Sequence, residues 1–375
     1  MERAAILDGK EILPNTVQNA ELALGNNDQL TRDRPSKSNL HPFAEVLRIV
    51  GRGPKLSRPL DVAEAEDAMR QILADEVEPL QLGAFLLLLR HRGETPEELA
   101  GFVRAARATI DTGTSAPQVD LDWPSYADRH KQLPWFVLAA LLLAENGVKV
   151  VMHGIAGESE GYASTPAALE LLGIRAARSV AEAGDQLESD NFAYLPIEEL
   201  APSVARLFTL RPLLGVRSAV NTFARELNPL RAPYQLLGVF HPNYRLPHQR
   251  TAELLGQKHA AILKGGGGEA QRNPEKPCAV TTIHHGVAGE EEWPEMLDEV
   301  TYRWREETDR IDRISGLWAG EYEAEPPRAA VIGTAAIALK LICRASDQKD
   351  AIAQAEAMWR SRQRDKFRAI AVAGA

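Results

Sequence analysis

The feature that most constrains the fold is a repeated strand-and-helix pattern within residues 119–174. An apolar, helix-like run covers residues 135–144, and a short β-branched run that ends in His-Gly covers residues 147–154. A second helix is predicted over residues 166–172. Strands that alternate with helices are typical of a parallel α/β sheet. Ligands bind such sheets at the carboxyl ends of the strands, so we expect any functional site in the loops that follow them.

Amphipathic helices precede this pattern and indicate a separate helical domain. Their clearest start signal is Thr95-Pro96-Glu97-Glu98. In it Thr is the N-cap, Pro takes the first helical position and Glu stands three residues after the cap. We therefore divide the chain into a polar amino-terminal arm at residues 1–40, a helical domain at residues 41–115 and an α/β domain at residues 116–375.

Composition limits the class of protein. The chain has 375 residues, of which 45% are hydrophobic and 25% charged, so it can bury a large core. Its amino terminus lacks an apolar signal core, and its longest apolar run, residues 136–144, is too short to span a bilayer. We therefore expect a cytoplasmic protein with no membrane partner. Cys278 and Cys343 lie outside any metal-binding spacing, which predicts buried free thiols in a reducing compartment.

Several motifs occur in an order that resembles the anthranilate phosphoribosyltransferase type of glycosyl transferase, family 3. Residues 84–101 resemble the family's amino-terminal helical domain, which forms its homodimer contact. Further along, Arg211, Gly215-Val216-Arg217-Ser218 and Leu227-Asn228-Pro229 match the family's order and spacing. The resemblance implies a homodimer with a small helical domain, on which helices from about residues 200–225 pack. It also implies a larger α/β domain with a mainly parallel central sheet, of the nucleoside phosphorylase / phosphoribosyltransferase class II type.

The family's two donor motifs correspond to nine positions of this chain, which we name the donor-loop positions, and seven of the nine are changed. Its Gly-Thr-Gly-Gly-Asp loop, which holds phosphoribosyl pyrophosphate, is replaced by Trp123, Pro124, Ser125, Tyr126 and Ala127. Its Lys-His-Gly-Asn motif reads Met152, His153, Gly154 and Ile155 here, so the histidine and the glycine are kept while the lysine and the asparagine are lost. Pro124 has no N–H to offer a phosphate, and Met152 carries no positive charge. These changes favour the loss of catalytic activity.

The magnesium-binding residues of the family are also changed. Its Asp-Glu pair corresponds to Ala270 and Gln271, so Glu269 is left as a single nearby carboxylate. One carboxylate is a poor substitute for a pair of hard oxygen ligands. We therefore predict no cofactor and no bound metal. His284 and His285 also make a poor chelate, because adjacent residues on a strand point to opposite faces.

Two residues match functional positions of the family. Arg211 corresponds to the arginine that binds the substrate carboxylate, and His153 to the histidine of the Lys-His-Gly-Asn motif. Both are catalytic candidates only if the chain is a transferase. Each has a structural alternative: His153 as a strand-end histidine bonded to backbone, and Arg211 as a partner of a structural carboxylate.

Basic residues are concentrated in residues 201–272, which hold ten basic and three acidic side chains and so carry a net charge of +7. The whole chain carries −9, which leaves −16 for the remainder. Such asymmetry indicates polyanion binding, and arginines suit phosphates. The basic residues that we predict to bind nucleic acid are Arg206, Arg217, Arg225, Arg231, Arg245, Arg250, Lys258, Lys264 and Arg272.

Two hypotheses of different class follow. The first is a non-catalytic homodimer that binds nucleic acid or another polyanion without sequence preference through its arginine-rich surface. The chain resembles, in its lost motifs, a divergent branch of the superfamily with that property. The alternative is a glycosyl or phosphoribosyl transferase with an altered donor or acceptor, which would use His153, Arg211 and magnesium.

Overall fold

The computed structural model describes residues 40–53, 55–113, 117–127, 132–155, 163–299, 302–306 and 310–367. Those from Val46 onward form one compact unit. None of the helices in the described ranges is long and apolar enough to cross a membrane.

Four helices open the described part of the chain and form the small helical domain that the sequence predicts. They are α1 (Phe43–Gly51), α2 (Val62–Leu73), α3 (Pro79–Arg92) and α4 (Pro96–Ala108). The predicted cap is confirmed, because Thr95 begins α4 with Glu98 as the reciprocal partner of a capping box, and Asp61 begins α2 in the same way with Glu64. The apolar stripe of α4 is buried, including Phe102 and Val103.

The carboxylate of Glu98 is fully buried, and its hydrogen bonds connect three segments of the helical domain. One oxygen accepts the backbone N–H of Thr95 at 3.0 Å. The other accepts the N–H of Leu60 at 3.0 Å and the Arg92 guanidinium at 2.5 Å. The capping box therefore also fixes the approach of the chain to α2.

The α/β domain contains a seven-stranded sheet in the order β3-β2-β1-β4-β5-β6-β7. Its strands are β1 (Leu121–Ser125), β2 (Val150–Gly154), β3 (Phe192–Pro196), β4 (Tyr234–Val239), β5 (His259–Lys264), β6 (Cys278–His284) and β7 (Val287–Trp293). Strands β1 to β5 pair in parallel, whereas β6 and β7 are antiparallel. The predicted fold class, a helical domain plus a mainly parallel α/β domain, is confirmed.

Helices surround the sheet. Those after β1 are α5 (Phe136–Glu145), α6 (Thr165–Leu171), α7 (Val180–Asp190), α8 (Ile197–Leu200), α9 (Pro202–Phe208), α10 (Arg211–Leu214), α11 (Val220–Phe223), α12 (Arg245–Leu254), α13 (Asp312–Ala319), α14 (Glu325–Leu341) and α15 (Gln348–Ser361). Short 3₁₀ turns cover Ala224–Glu226, Pro242–Tyr244 and Gly266–Gly268. Helix α5 is apolar on all sides and packs against α14 in the largest core cluster, as a fully buried helix must.

The helical domain contacts the chain between β3 and β4. Phe102 of α4 packs edge-to-face on Phe223 with ring centroids 5.8 Å apart. Arg107 donates to the carbonyl oxygens of Glu226 and Leu227 at 3.0 and 2.7 Å. Burial lowers the pKa of Arg107 to about 10, which leaves the guanidinium charged at neutral pH.

Strand β7 is an element that the sequence analysis missed. Its residues are mostly exposed and include three consecutive glutamates, so the alternation of apolar and polar residues is absent. It is an edge strand of the sheet, where charged side chains oppose pairing with another chain.

We expect Glu98→Ala to lower the free energy of unfolding by about 3 kcal/mol, because two backbone N–H groups and a guanidinium lose a buried acceptor. Urea denaturation followed by circular dichroism would measure the loss. Glu97→Ala is the matched control on the same turn, and its side chain is partly exposed. Equal losses in the two variants would contradict this role of Glu98.

Candidate functional site

The topology places a crevice between β1 and β4. Strand order reverses there, since β2 and β3 follow on one side and β5 follows on the other. Pairing between the two strands stops after Asp122 and Gln235, while β1 remains paired with β2 as far as Ser125. The carboxyl ends of β1 and β4 therefore diverge, which is where doubly wound sheets bind ligands.

The donor-loop positions on β1 are part of the protein interior. Trp123 is fully buried and stacks on Phe136 with ring centroids 6.4 Å apart. Tyr126 is fully buried and stacks on Phe208 at 5.7 Å. The hydroxyl of Ser125 lies 2.8 Å from that of Thr165. These side chains fill the space that glycines would leave open for a phosphate.

A buried polar network joins these positions to β2. The Tyr126 hydroxyl lies 2.8 Å from His153 Nδ1, and His153 Nε2 lies 3.1 Å from an Asp122 carboxylate oxygen. The other Asp122 oxygen accepts from the Gln235 amide at 2.9 Å. Burial raises the pKa of Tyr126 well above its usual value, so the hydroxyl stays protonated and can donate a hydrogen bond to His153. His153 thus holds the interior together at β1 and β2.

A carboxylate of the protein bonds to the backbone of Ala127, the last of the five donor-loop positions at residues 123–127. Glu269 is fully buried, and one of its oxygens accepts the backbone N–H of Ala127 at 2.6 Å. Backbone N–H groups of this kind cradle phosphates in anion-binding loops. The N–H of Ala127 is therefore already bonded to an anion, and that anion belongs to the chain itself.

A basic cleft of about 870 Å³ opens beside the filled loop, at the carboxyl ends of β4 and β5. Its described walls carry one carboxylate, Glu306, which pairs with Arg303 at 3.0 Å. Glu275 fixes the rim, because its two oxygens accept from Tyr302 N and Trp304 Nε1 at 2.8 Å each. The exposed or half-exposed basic residues of the cleft are Arg211, Arg217, Lys264, Lys276, Arg303 and Arg305.

The structure separates the nine residues that we predicted to bind nucleic acid. Arg225 is 5% exposed, and its guanidinium donates to the carbonyl oxygens of Gly238 and Gly268 at 2.9 Å each. Arg272 is fully buried against Trp293, with its charge centre 5.5 Å from the ring centroid, and donates to Pro294 O. Burial also lowers the pKa of Arg272. The prediction of a surface role is corrected for both, because neither guanidinium reaches the surface.

The other seven lie at or near the surface. Arg206, Arg245 and Arg250 form ion pairs with Asp75, Glu290 and Glu253. Arg217 is half-buried in the cleft, and Arg231 is exposed. Lys258 and Lys264 are exposed at opposite ends of β5, so only Lys264 lies at the carboxyl ends of the strands.

Of the two catalytic candidates, Arg211 lines the cleft and His153 is held in the interior network. The sequence analysis missed Lys276, Arg303 and Arg305. Lys276 follows the glycine turn of β5 closely, which was an available signal. Arg303 and Arg305 lie in an irregular segment that is also rich in glutamate. The segment therefore has no excess of basic residues that would indicate an anion-binding site.

The residues at the expected magnesium position differ from a pair of carboxylates. Ala270 is buried and apolar. The Gln271 amide accepts from Phe136 N at 3.0 Å and donates to Leu133 O at 3.3 Å. Glu269 is the neighbouring carboxylate, but it is fully buried and does not line the basic cleft. A magnesium ion here would depend on ligand phosphates and water for most of its coordination, which is a common mode for Mg²⁺.

Comparison with protein families identifies both domains. The family model described as "Glycosyl transferase family, helical bundle domain" matches residues 44–110. The model described as "Glycosyl transferase family, a/b domain" matches residues 136–362.

Similar proteins include several anthranilate phosphoribosyltransferases. That of Gluconobacter oxydans is 34% identical over 211 residues, which is 56% of this chain and 58% of the relative. That of Beijerinckia indica is 31% identical over 248 residues, or 65% of this chain and 70% of the relative. The protein YbiB of Escherichia coli is 28% identical over 282 residues, or 70% and 87%.

Solved structures share the fold. Anthranilate phosphoribosyltransferase of Thermus thermophilus superposes with a TM-score of 0.69 and 25% identity over 84% of this chain and 94% of its own. The enzyme of Saccharomyces cerevisiae, in complex with PRPP and Mg, gives a TM-score of 0.67 with 18% identity over 87% and 94%. The prediction of no cofactor is wrong in this light, because an enzyme of the same fold binds PRPP with Mg.

Proposed function

This chain belongs to the glycosyl transferase family defined by that helical bundle and a/b domain, and from this premise we propose that it is a phosphoribosyl-type transferase with an altered donor site. Its phosphorylated donor would lie in the basic cleft, against charged side chains. The donor-loop positions would act as a packed wall.

The observation that carries this proposal is the basic cleft at the carboxyl ends of β4 and β5. Its volume, about 870 Å³, falls within the range of pockets for small ligands. Arginine binds phosphate through two parallel N–H groups, and lysine binds it as a compact charge. Such side chains can supply the donors that the loop amides no longer offer.

The residues divide the work in the following way. Arg211 and Arg217 would orient the phosphorylated donor, and Lys264 and Lys276 would stabilise the charge that develops as pyrophosphate leaves. Magnesium carried on the donor phosphates would neutralise part of their charge, with phosphate oxygens and water as most of its ligands. His153 keeps the wall rigid and lies in the interior.

Lys264→Glu should weaken magnesium-dependent binding of phosphoribosyl pyrophosphate by about tenfold or more, because it reverses a charge on the cleft wall. Isothermal titration calorimetry with and without magnesium would measure the dissociation constant. Pyrophosphate release in the presence of anthranilate and related aromatic amines would report on transfer.

Lys258→Glu is the matched control, since it reverses the same charge at the other end of β5. The proposal requires binding by the unaltered chain and a loss specific to Lys264→Glu. Absence of magnesium-dependent binding at millimolar donor, or equal losses in both variants, would contradict it.

We propose a second candidate, a non-catalytic protein that binds nucleic acid, because Tyr126 and Glu269 fill the space where the family's donor loop holds its phosphates. The charge of +7 in residues 201–272 supports the same candidate. Its binding surface would use exposed cations outside the cleft as well as within it.

If this second candidate is correct, replacing Arg231, Lys258 and Lys264 together with Glu should weaken single-stranded DNA binding for every sequence alike, because phosphates carry no sequence. The slope of log affinity against log salt should also fall by about 0.7 for each lost phosphate contact. Fluorescence anisotropy with labelled oligonucleotides at several salt concentrations would measure both.

A charge-matched triple variant at Arg178, Lys349 and Arg360 is the control, since these exposed residues lie outside the basic segment. Equal effects of the two triple variants would indicate a response to net charge alone. A loss confined to Lys264 would favour the cleft and therefore the transferase.

We further propose that the chain forms a homodimer through the helical domain. Large apolar side chains are exposed on one region: Leu80 and Leu87, one heptad apart on α3, are 86% and 44% exposed. Leu213 is 83% exposed on α10, which approaches α3 where Leu214 lies beside Gly83. Exposed apolar patches of this kind are typical of protein interfaces.

Leu80→Glu combined with Leu87→Glu should shift the protein from dimer to monomer, because the charges would be buried in an apolar interface. Light scattering coupled to gel filtration at micromolar concentration would give the mass. Leu246→Glu, at a residue 65% exposed on α12, is the control and should leave the mass unchanged. A monomeric unaltered chain would contradict the proposal.

A further inference from the structure

Three side chains of types that bind metals lie together at the amino-terminal end of β5, whereas the basic cleft lies at its carboxyl end. They are His259, His284 and Cys343, and their ligand atoms all lie within 4.8 Å of one another. His259 is the first residue of β5 and His284 the last of β6. Because these strands are antiparallel, with Ala260 opposite Ile283, the two histidines are neighbours across the sheet.

The third side chain arrives from a different element. Cys343 lies two residues beyond the end of α14 and is exposed, although the sequence analysis predicted a buried thiol. Its backbone has a φ of 59°, a conformation that usually selects glycine after a helix. The Tyr234 ring packs on His259 with centroids 4.7 Å apart, and its hydroxyl interacts with the Cys343 thiol.

His259 supplies a second observation that points to a ligand at this cluster. The residue is 7% exposed, yet its Nδ1 has no hydrogen-bond partner in the described protein. A buried nitrogen without a partner loses its hydration and gains nothing in return. A metal ion bound to this lone pair would satisfy it.

We propose that His259, His284 and Cys343 bind a zinc-class transition-metal ion. Two imidazoles and a thiolate are a donor set that zinc prefers, and three protein ligands leave a fourth position for water. Ligand atoms on one zinc ion lie roughly 3–4 Å apart, so the three groups need to close by only about an ångström. The Cys343 thiol would release its proton to solvent on binding, and no electron is transferred.

The neighbourhood has room for the fourth ligand. A cavity of about 310 Å³ borders the cluster and is lined by His284, Glu291, Lys340 and Cys343. Glu291 pairs with Lys340 at 2.6 Å, which keeps this carboxylate beside the cavity. The bound ion would tie the turn after α14 to the sheet edge, roughly 16 Å along β5 from Lys264.

The adjacent histidine is a natural control. His285 lies next to His284, with ring centroids 4.3 Å apart, but it is outside the group of three. His285 lies just beyond β6 with a φ of 50°, so its ring packs beside that of His284 and not, as the sequence analysis expected, on the opposite face. The chelating partner of His284 is His259, which lies 25 residues earlier in the chain.

The test uses the full chain without an affinity tag, after treatment with a chelator. Zinc binding would be followed by calorimetry, and cobalt(II) binding by its absorption, which includes a thiolate charge-transfer band when sulfur coordinates. We expect one ion per chain with submicromolar affinity. Cys343→Ser and His284→Gln should each weaken zinc binding about tenfold or more, and Cys343→Ser should abolish the charge-transfer band.

His285→Gln should leave the affinity within about twofold of the unaltered chain. Circular dichroism would establish that each variant is folded. Absence of stoichiometric binding by the unaltered chain would overturn the proposal. So would equal losses in His284→Gln and His285→Gln, since that result describes a histidine patch without a defined site. A Cys343→Ser variant that binds zinc unchanged would overturn it as well.

Discussion

The divergence of β1 from β4 after Asp122 and Gln235 is the constraint on which the arrangement of the site depends. Two strands that separate inside a sheet leave backbone groups that must find other partners. Arg225 is one of these partners, because its guanidinium donates hydrogen bonds to the carbonyl oxygens of Gly238 and Gly268. Glu269 supplies another part by accepting the N–H of Ala127. The chain thus closes the crevice with its own charges.

A closed crevice changes how an anion can be held. A carboxylate buried on a loop amide can be displaced only if it finds another partner, and moving such a charge is expensive. In the transferase that we propose, phosphates would therefore meet the chain at the side chains of the neighbouring cleft, where Lys264 and Arg217 are at least partly solvated. Binding through flexible cations is less preorganised than binding through loop amides, and it depends more on salt.

Sequence patterns predicted the fold well where the signal is local. The caps at Asp61 and Thr95 fix helix starts, and the apolar run of α5 can only be a buried helix. Strand β7 was missed because an exposed edge strand has no buried face to impose alternation. For the site, sequence identified the changed donor loop but could not show what fills it. A count of arginines also cannot tell that Arg225 bonds to backbone inside the protein, since burial is decided by tertiary packing.

The chain as a whole is acidic, whereas its cleft is basic, and the positions of the charged side chains in the fold account for this difference. The acidic remainder includes the three glutamates of β7, which lie two strands from β5 and level with its carboxyl end, and two of them, Glu290 and Glu291, pair with Arg245 and Lys340. Two strand spacings are roughly 10 Å, about one screening length at physiological ionic strength, and the ion pairs of Glu290 and Glu291 with Arg245 and Lys340 offset their charge locally. The charge that a ligand meets is therefore the local one, set by Lys264, Lys276 and the arginines around them. A net charge of −9 is compatible with a basic cleft, because most of the charged side chains on the described walls of the cleft are basic whatever the total charge of the chain.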